Sequence, residues 1–399
     1  MQAQTRPGTT KQSAEVVLGQ PVVAAVSEPR EQRWGFCQFP ALARLPDGAI
    51  LLVWADADDA SETHGHPAPA LVSRDDGRTW QPFTGSPRPL RPHYSVSEVL
   101  DGEFLTVPAH PYLNIKKEGV RLPAPAAEAK VYGIVRSYRV ADMPPAVRNY
   151  IHQLPAMRWT PATGQWKDEI VTYDQRNQLA SLREGSEVIT RSFFEHYLLA
   201  RGRELLYADY RVRYALDDGT VPPKAATHLM VSTDNGRTFQ RRATIAADTS
   251  GADQYGEPHL APTADGRLVC VMRKTDQQQK PMAISWSADG GKTWTPAREL
   301  FEFGVWPCLL LLRSGTLVLS YGRPGVHLRL DRGGTGEKWS EPVALVKGDA
   351  ANIQAHTCGY TSLLPLDERS FLIAYSDFKH RDPERVQRKA ILVRRVTVK

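Results

Sequence analysis

Gln254–Lys274 reads Q-Y-G-E-P-H-L-A-P-T-A-D-G-R-L-V-C-V-M-R-K, and this stretch decides the fold. It predicts a strand, a tight turn at Asp265-Gly266 and a second strand, because glycine adopts the positive φ that such turns need. Glu257 lies eight residues before the turn and Arg273 eight residues after it. A hairpin therefore brings this carboxylate and this guanidinium to one sheet edge. The pair is either part of a functional site or a surface salt bridge, and this hairpin alone does not separate the two.

The same hairpin pattern occurs six times along the chain. Its turns start near residues 47, 101, 201, 265, 314 and 367, at intervals of 54, 100, 64, 49 and 53 residues. Repeats of about 40 to 50 residues built from short strands are typical of β-propellers. We therefore predict an all-β, six-bladed propeller of four-stranded antiparallel blades. The one long interval places an insertion, an ordered loop over about residues 111–160, in the second blade.

The chain ends complete this prediction. Residues 1–14 are polar and are expected to form a disordered tail, and residues 15–399 are expected to form a single propeller domain. The apolar segment 15–25 and the C-terminal segment 389–398 are predicted to pair in the last blade, which removes free sheet edges. The Gln-Ala-Gln that follows Met1 looks like a mature start, so we expect a secreted or periplasmic protein whose leader has been removed.

Composition excludes several classes of function. The chain has 399 residues, 41% of them hydrophobic, with a formal charge of +6 and no Lys/Arg block. We therefore predict no nucleic-acid partner and only a weak preference for acidic ligands. No apolar run approaches the roughly 18 residues of a membrane span. The oligomeric state stays open.

The four cysteines all lie in the predicted hairpins, at Cys37, Cys270, Cys308 and Cys358. None has metal-ligand spacing, so they are predicted to be small buried apolar residues, and neither a metal site nor a cofactor is predicted. Cys37 and Cys358 belong to the first and last repeats, which are neighbours in a closed ring. A disulfide between them is left open.

A second motif, S-x-D-x-G-x-T-[WF], occurs at residues 73–80, 232–239 and 287–294, with a weaker copy at 330–339. Its Asp can accept hydrogen bonds from the amides of a tight turn, its Gly supplies the unusual φ, and its aromatic ring packs between strands. Recurrence on several blades favours this structural role over catalysis or metal binding.

With these motifs and hairpins, the chain resembles the sialidase superfamily, in which the repeated motif is called the Asp box. The resemblance covers almost the whole chain and implies a six-bladed propeller. It implies less about activity, because Asp boxes occur in many propellers.

The resemblance also implies roles for individual residues. Sialidases use three arginines to hold the sugar carboxylate, a Tyr–Glu pair as nucleophile and an Asp as acid/base. Tyr360, in G-Y-T-S-L, matches the nucleophile, and Glu257 matches the glutamate that activates it. Arg273 and Arg323 match the second and third arginines. The chain departs from the family where the first arginine is expected, because Gln38 stands there and cannot form a charged bidentate pair.

Other candidates follow from the loop after the first repeat and from the hairpin ends. The loop offers Asp58 and His64 as the general acid/base. Positions about eight residues from each turn should ring one end of the propeller, and their polar and aromatic character suits sugar binding. These substrate-binding candidates are Gln38, Asp56, His110, Arg211 and Trp306.

The Tyr–Glu pair has a physical rationale. A phenol is a weak nucleophile at its reference pKa of about 10, but a carboxylate can take its proton and cations can stabilise the phenolate. A tyrosine also avoids the repulsion between a carboxylate nucleophile and an anionic substrate. The alternative is a Tyr–Glu hydrogen bond that acts on nothing.

We therefore predict a sialidase-like exo-glycoside hydrolase that removes a terminal acidic sugar from a carbohydrate substrate. One alternative is a propeller polysaccharide lyase or rhamnosidase acting on uronate-containing polymers, in which His or Tyr takes a proton. The other alternative is a non-catalytic carbohydrate-binding propeller.

Overall fold

The structure is a computed structural model that describes residues 16–93, 96–131, 133–274 and 279–399. The predicted tail over residues 1–14 lies outside the described residues. The described part is nearly all-β, as predicted, with one α-helix and two short 3₁₀ turns. No helix within these ranges is long and apolar enough to cross a membrane.

The strands and the helix follow one another along the chain in three groups. The first group is β1 (Val16–Leu18), β2 (Val22–Val26), β3 (Phe36–Arg44), β4 (Ile50–Asp56), β5 (Ala70–Ser73), β6 (Gln81–Pro82), β7 (Ser97–Glu98), β8 (Phe104–Thr106), β9 (Leu113–Asn114), β10 (Ala127–Lys130) and β11 (Ile134–Arg139). The second is α1 (Pro145–His152), β12 (Gln153–Thr160), β13 (Gln165–Tyr173), β14 (Gln178–Arg183), β15 (Val188–Ile189), β16 (Leu199–Arg201), β17 (Glu204–Asp209), β18 (Arg213–Tyr214), β19 (Thr227–Ser232) and β20 (Thr238–Ala246). The third is β21 (Gly256–Pro262), β22 (Leu268–Arg273), β23 (Met282–Ser287), β24 (Arg298–Leu300), β25 (Val305–Leu311), β26 (Leu317–Gly322), β27 (Val326–Asp331), β28 (Val343–Val346), β29 (Thr361–Pro365), β30 (Ser370–Arg381) and β31 (Gln387–Val398).

Most strands pair with their sequence neighbours in antiparallel sheets. Three four-stranded sheets are built from strands that are consecutive in the chain: β3-β4-β5-β6, β21-β22-β23-β24 and β25-β26-β27-β28. An eight-stranded sheet consists of two antiparallel groups, β7-β8-β12-β13 and β16-β17-β19-β20, joined by a short parallel pairing of β13 with β20. The last sheet contains β29, β30 and β31.

The hairpin predictions are confirmed by strand pairing. In the hairpin around Asp265-Gly266, β21 pairs with β22 and Gly256 lies opposite Arg273. Gly266 in its turn has a φ of 84°, the left-handed region that glycine occupies at no steric cost. The other five predicted hairpins form as β3–β4, β7–β8, β16–β17, β25–β26 and β29–β30.

The first strands of several hairpins carry bulges at the same end. The register shifts between Gly256 and His259 in β21 and between Val305 and Cys308 in β25. Glu257 and Trp306 have φ values of 45° and 46° within these bulges. Non-glycine residues rarely adopt such values, and they cluster at functional sites.

The predicted pairing of the chain ends is confirmed. β1 pairs with β31, with Val16 opposite Val398, and β2 pairs with β31 further along. Val16 is buried in a cluster that includes Val398 and Phe371, whereas Val17 is 48% exposed. The N-terminal strands therefore cover the edge of the last sheet.

The repeated Ser–Asp–Gly–Thr turns are held together by their own side chains. Asp289 Oδ1 accepts hydrogen bonds from Ser287 Oγ at 2.8 Å and from the Lys292 and Thr293 amides at 3.0 Å. Asp75 and Asp234 do the same in their turns. These bonds within each turn are those of a structural motif.

The insertion is more structured than a loop. β10, β11, β14 and β18 form a sheet of their own, and β9 pairs with β15. The helix α1 contributes Val147 and Ile151 to an apolar cluster. β12, which falls inside the predicted range 111–160, instead pairs with β8 because Leu154, Ala156 and Met157 are buried there. Val131, next to the end of β10, and Arg183 of β14 line the wall of a cavity of about 800 Å³.

Candidate active site

A cavity of about 800 Å³ lies where the bulged strand ends meet. Its wall combines cationic, aromatic and acidic side chains from many parts of the chain. Those that carry its chemistry are Trp34, Phe39, Asp59, His64, His93, Tyr210, Arg211, Glu257, Arg273, Lys280, Trp306, Arg323 and Tyr360.

Glu257 is the centre of a hydrogen-bonded group in this cavity. Tyr360 Oη donates a short hydrogen bond to Glu257 Oε1, and Arg273 Nη1 donates to the same oxygen at 2.6 Å. The Trp306 amide donates to Glu257 Oε2 at 3.0 Å. All of these residues are buried, so the carboxylate is fixed by three donors that come from three different hairpins.

The Tyr360 ring is held between an aromatic ring and a guanidinium. The Trp306 ring stacks on it, with centroids 4.3 Å apart and planes 14° apart. Arg323 Cζ lies 5.5 Å from the Tyr360 ring centroid, and its Nε and Nη2 donate to the Cys358 carbonyl at 3.1 and 3.0 Å. These contacts leave the phenol one well-defined orientation.

Burial and charge oppose each other at this phenol. Burial raises the pKa of Tyr360 well above its usual range, and the Glu257 carboxylate raises it further. Arg273 and Arg323 act in the opposite direction. The phenol is therefore protonated at rest and donates to Glu257, which is placed to accept the proton if the phenol attacks a substrate.

A second ion pair lies beside this group. Arg211 lines the cavity, and its Nε donates a short hydrogen bond to the buried Glu195 carboxylate. Burial raises the pKa of Glu195 to about 7, although the charge of Arg211 lowers it. The guanidinium also lies over the Phe193 ring, 4.7 Å from its centroid.

Asp59, His64 and His93 form a cluster on another part of the wall. His64 Nε2 and Asp59 Oδ1 are 2.8 Å apart, and the donor atoms of all three side chains lie within 4.8 Å of one another. Burial lowers the pKa of His64, against the hydrogen bond to Asp59, and lowers that of His93 well below its usual range. Burial alone would raise the pKa of Asp59, but the hydrogen bond and charge of His64 hold it well below its usual range. Both imidazoles are therefore neutral and the carboxylate is ionised.

The structure brings seven of the eleven predicted site residues to the cavity wall. These are His64, Arg211, Glu257, Arg273, Trp306, Arg323 and Tyr360. Asp56 and Asp58 instead line a small adjoining cavity of about 10 Å³. Asp56 Oδ1 accepts a hydrogen bond from the Cys37 amide at 3.2 Å. The Asp56 carboxylate is therefore bonded within its own hairpin.

Gln38 and His110 do not line the main cavity. Gln38 is fully buried, because bulges between Phe36 and Ala41 shift the strand so that Phe39 faces the cavity instead. A one-residue shift in a strand turns each side chain to the other face. The His110 carbonyl lies directly against Gly65, where an added Cβ would be only 2.1 Å from that oxygen. The His110 backbone therefore packs against the loop that carries His64.

Among the wall residues that carry the chemistry of the cavity, six were not sequence-based candidates: Asp59, His93, Trp34, Phe39, Tyr210 and Lys280. Asp59 belongs to the loop from which Asp58 and His64 were chosen, and His93 begins the second hairpin. Their positions in the sequence could therefore have identified Asp59 and His93 as site candidates. Phe39 could not be found by counting, because counting assumes a regular strand.

The four cysteines are buried and free. Cys358 Sγ accepts a hydrogen bond from Ser376 Oγ at 3.1 Å, and Cys308 Sγ donates to the Thr361 carbonyl at 3.1 Å. The disulfide between Cys37 and Cys358 that the sequence left open is not formed.

Comparison with known proteins supports a BNR-repeat, sialidase-like fold. The family described as BNR repeat-like domain matches residues 152–303, which is less than half of the chain. No curated protein matches the chain.

Several solved structures share the fold at low sequence identity. A protein of unknown function from Dyadobacter fermentans has a TM-score of 0.64 at 18% identity, over 96% of this chain and 99% of that one. An α-L-arabinanase from Penicillium chrysogenum, complexed with arabinobiose, has a TM-score of 0.55 at 14% identity, over 94% and 98%. The Hadza microbial sialidase Hz136 has a TM-score of 0.52 at 14% identity, over 89% and 65%. At these identities the similarity establishes the fold alone.

Proposed function

We propose that the protein is a glycoside hydrolase that removes a terminal acidic sugar from a glycan or polysaccharide. The observation that carries the proposal is the Tyr360–Glu257 hydrogen bond on the wall of a cavity that also presents arginines. Among the similar structures are an α-L-arabinanase and a sialidase, enzymes named for their action on carbohydrates, which agrees with this proposal.

In the proposed first step, Tyr360 Oη attacks the anomeric carbon of the sugar. Its proton passes to Glu257 Oε1, a bond to the anomeric carbon forms, and the bond to the leaving oxygen breaks. Arg273 and the Trp306 amide hold the carboxylate in place for this transfer. Water then releases the sugar from Tyr360 in a second displacement, so the anomeric configuration is retained.

An acidic substrate follows from the charges around the nucleophile. Arg323 lies beside the Tyr360 ring, and Arg211 and Lys280 line the same cavity. Arginine binds carboxylates through paired hydrogen bonds, so these side chains suit a sugar carboxylate. The resemblance to sialidases expects the first arginine of the triad at Gln38, which is not a cation and does not line the cavity. We therefore expect an acidic sugar whose carboxylate needs fewer cationic contacts than sialic acid receives.

The proton donor to the leaving oxygen is proposed to come from the loop over residues 56–66. Asp58 and His64 were the sequence candidates, and of these His64 reaches the main cavity with Asp59 as its partner. Because His64 is neutral at rest, it would have to gain a proton from solvent or substrate before acting as an acid.

A uronate lyase is the second candidate, and the neutral imidazoles favour it. His64 and His93 both line the cavity without carrying a charge at neutral pH. A neutral imidazole can take the proton next to a uronate carboxylate, while an arginine neutralises that carboxylate. The product would then carry a double bond instead of an added water.

We also propose that the sheets close into a ring of six blades. Neighbouring sheets contact one another through the strand pairs β3 and β7, β17 and β21, β21 and β25, β25 and β29, and β29 and β3. A hydrogen bond from the Leu198 amide to Ser97 Oγ joins the two halves of the eight-stranded sheet near the centre. Contact between β29 and β3 packs the last sheet against the first, and apolar side chains of both sheets, such as Leu42 and Leu372, share one buried cluster.

The test is product analysis by mass spectrometry and NMR in H₂¹⁸O. The panel contains sialylated glycans, arabinan, and polymers with terminal or internal uronates. Release of an acidic monosaccharide that carries ¹⁸O, with retained configuration, supports the hydrolase. An unsaturated uronate without ¹⁸O supports the lyase instead.

Two further outcomes contradict an acidic-sugar hydrolase. Release of arabinose from arabinan would make the arginines irrelevant to specificity. Binding of a polymer without any product, measured by calorimetry on the same panel, would support the non-catalytic binding protein.

A further inference from the structure

We propose that Asp59, His64 and His93 form a binding site for one divalent transition-metal ion of the zinc class, open to the cavity on its remaining side. The three side chains offer one carboxylate oxygen and two imidazole nitrogens within 4.8 Å of one another. Two imidazoles and one carboxylate form a ligand set typical of catalytic zinc and of related divalent ions. The proposal goes beyond the proposed function and does not depend on it.

The spacing fits an ion that replaces a shared proton. His64 Nε2 and Asp59 Oδ1 now lie 2.8 Å apart across a hydrogen bond. Zinc ligands bind at about 2.0 to 2.2 Å, which places two tetrahedral ligands about 3.4 Å apart. To admit the ion, this pair has to separate by about half an ångström. His93 has to bring its ligand atom, now within 4.8 Å of the other two, to a similar distance.

Surrounding contacts orient two of the ligands. Trp34 Nε1 donates to Asp59 Oδ2 at 2.9 Å and so leaves Oδ1 directed at the histidines. Arg91 Nη2 donates to the His64 carbonyl at 2.8 Å, and Gly65 packs against the His110 carbonyl. Support of this kind, which fixes a ligand by its second oxygen or by its backbone, is usual around metal sites.

His93 has unused binding capacity. Its Nδ1 is buried and has no hydrogen-bond partner among the described residues. His93 itself is 6% exposed. A buried imidazole without a full set of partners is costly, and a metal bond to one of its nitrogens is one way of offsetting that cost.

The local charge limits affinity without preventing binding. Arg91 and Arg211 act on both histidines and oppose a cation, but Arg211 is paired with Glu195. The ionised Asp59 is the ligand that offsets the ion's charge. With an ion bound, His64 is a ligand and cannot donate a proton. A water molecule bound to the ion would then take the place of His64 as the proton donor, because a bound divalent ion lowers the pKa of water.

Zinc binding to the chelator-treated full chain tests the proposal. Isothermal titration with Zn²⁺, with metal analysis after dialysis, should give about one ion per chain for the unmodified protein. His93→Gln and Asp59→Asn should each weaken binding at least about 100-fold, because each removes one of three ligands. His66→Ala is the matched control, since His66 lies in the same loop, is exposed and is outside the cluster.

Cobalt provides a second readout that does not depend on activity. Co²⁺ should give a visible absorption spectrum of a four- or five-coordinate site in the unmodified protein and in Tyr360→Phe, but not in His93→Gln. Circular dichroism and thermal melts separate loss of the site from loss of the fold. Absence of stoichiometric binding, or binding unchanged in His93→Gln, would overturn the proposal. If Tyr360→Phe binds the metal but does not turn over substrate, metal binding and the proposed hydrolase activity are shown to be separate properties.

Discussion

At the residue scale, a few side chains occupy positions that stability alone does not favour. Glu257 has a φ of 45°, which a non-glycine residue adopts at a cost of about 1 to 3 kcal/mol. This conformation directs its carboxylate to Tyr360, Arg273 and the Trp306 amide at once. Backbone strain and a fully bonded buried carboxylate on one cavity wall together support the proposed active site.

Replacing Tyr360 by Phe removes the proposed nucleophile and little else. We expect kcat/KM on the natural substrate to fall at least about 10³-fold, because no other side chain can form the covalent intermediate. Substrate binding measured by calorimetry should persist. Tyr375→Phe is the matched control, since Tyr375 is a buried phenol on the neighbouring strand and outside the cavity. Activity within about tenfold of normal in Tyr360→Phe would contradict the mechanism.

Glu195 should make stability depend on pH. Its pKa is raised from 4.5 to about 7 on folding, chiefly by burial, so the folded chain holds a proton that the unfolded chain releases. This contribution to stability is complete below pH 4.5 and is lost as the pH rises to about 7. Buried histidines such as His93 and His259, whose pKa is lowered by burial, act in the opposite direction, so the effect is measured as a difference between two proteins. In urea unfolding between pH 4.5 and 8, the free energy of unfolding of the unmodified protein should fall relative to that of Glu195→Gln as the pH rises. Equal pH dependence of the two proteins would show that Glu195 does not titrate in this window.

At the element scale, several strand hairpins are followed by a side-chain-capped turn. The weakest copy of the repeated motif in sequence is the most buried in structure, because Asp331 is 1% exposed. Its Oδ2 accepts from the amides of Thr335, Gly336 and Glu337, and its Oδ1 accepts from Gly333. A single carboxylate thus satisfies four backbone donors of the turn after β27.

Asp331→Ala should lower the free energy of unfolding by about 2 to 4 kcal/mol, because it leaves several amides without an acceptor. Asp331→Asn keeps one acceptor oxygen and should cost less. Catalytic activity at a temperature where both variants are folded should not change, since Asp331 does not line the cavity. Urea unfolding of the two variants and the unmodified protein measures the effect. If Asp331→Ala has normal stability, the hydrogen bonds of Asp331 in this turn do not stabilise the fold.

At the scale of the whole molecule, the two chain ends share one sheet. β1 and β2 both pair with β31, which would otherwise present an open edge to solvent. Val16 packs into the same apolar cluster as Val305 and Tyr360, so the N-terminal strand and the cavity wall belong to one core. Pairing of the chain ends and stability of the site are therefore linked.

Val16→Asp tests this link against Val17→Asp on the opposite face of the same strand. The first variant puts an unpaired charge in the core and should cost at least about 3 kcal/mol, whereas the second should cost under about 1 kcal/mol. Thermal melts and size-exclusion chromatography of both variants measure stability and association. Equal melting temperatures for the two variants would show that β1 is not needed to close the last sheet.

The sequence by itself determined the hairpins and the meeting of Glu257 with Arg273 at one sheet edge. These follow from local patterns, because turn residues and alternating apolar positions act over a few neighbours. The pairing of the chain ends followed from the repetition of the hairpins along the chain, and the place of Tyr360 beside Glu257 followed from the resemblance to sialidases.

Only the tertiary structure decided which neighbouring residue faces the cavity. Bulges put Phe39 rather than Gln38 on the wall, and the loop presents Asp59 rather than Asp58. His93 joins His64 from a different segment, between β6 and β7. The insertion also forms its own sheet where a loop was expected. A one-residue shift of register and a contact between distant segments depend on packing across sheets, and no local pattern in the chain records that packing.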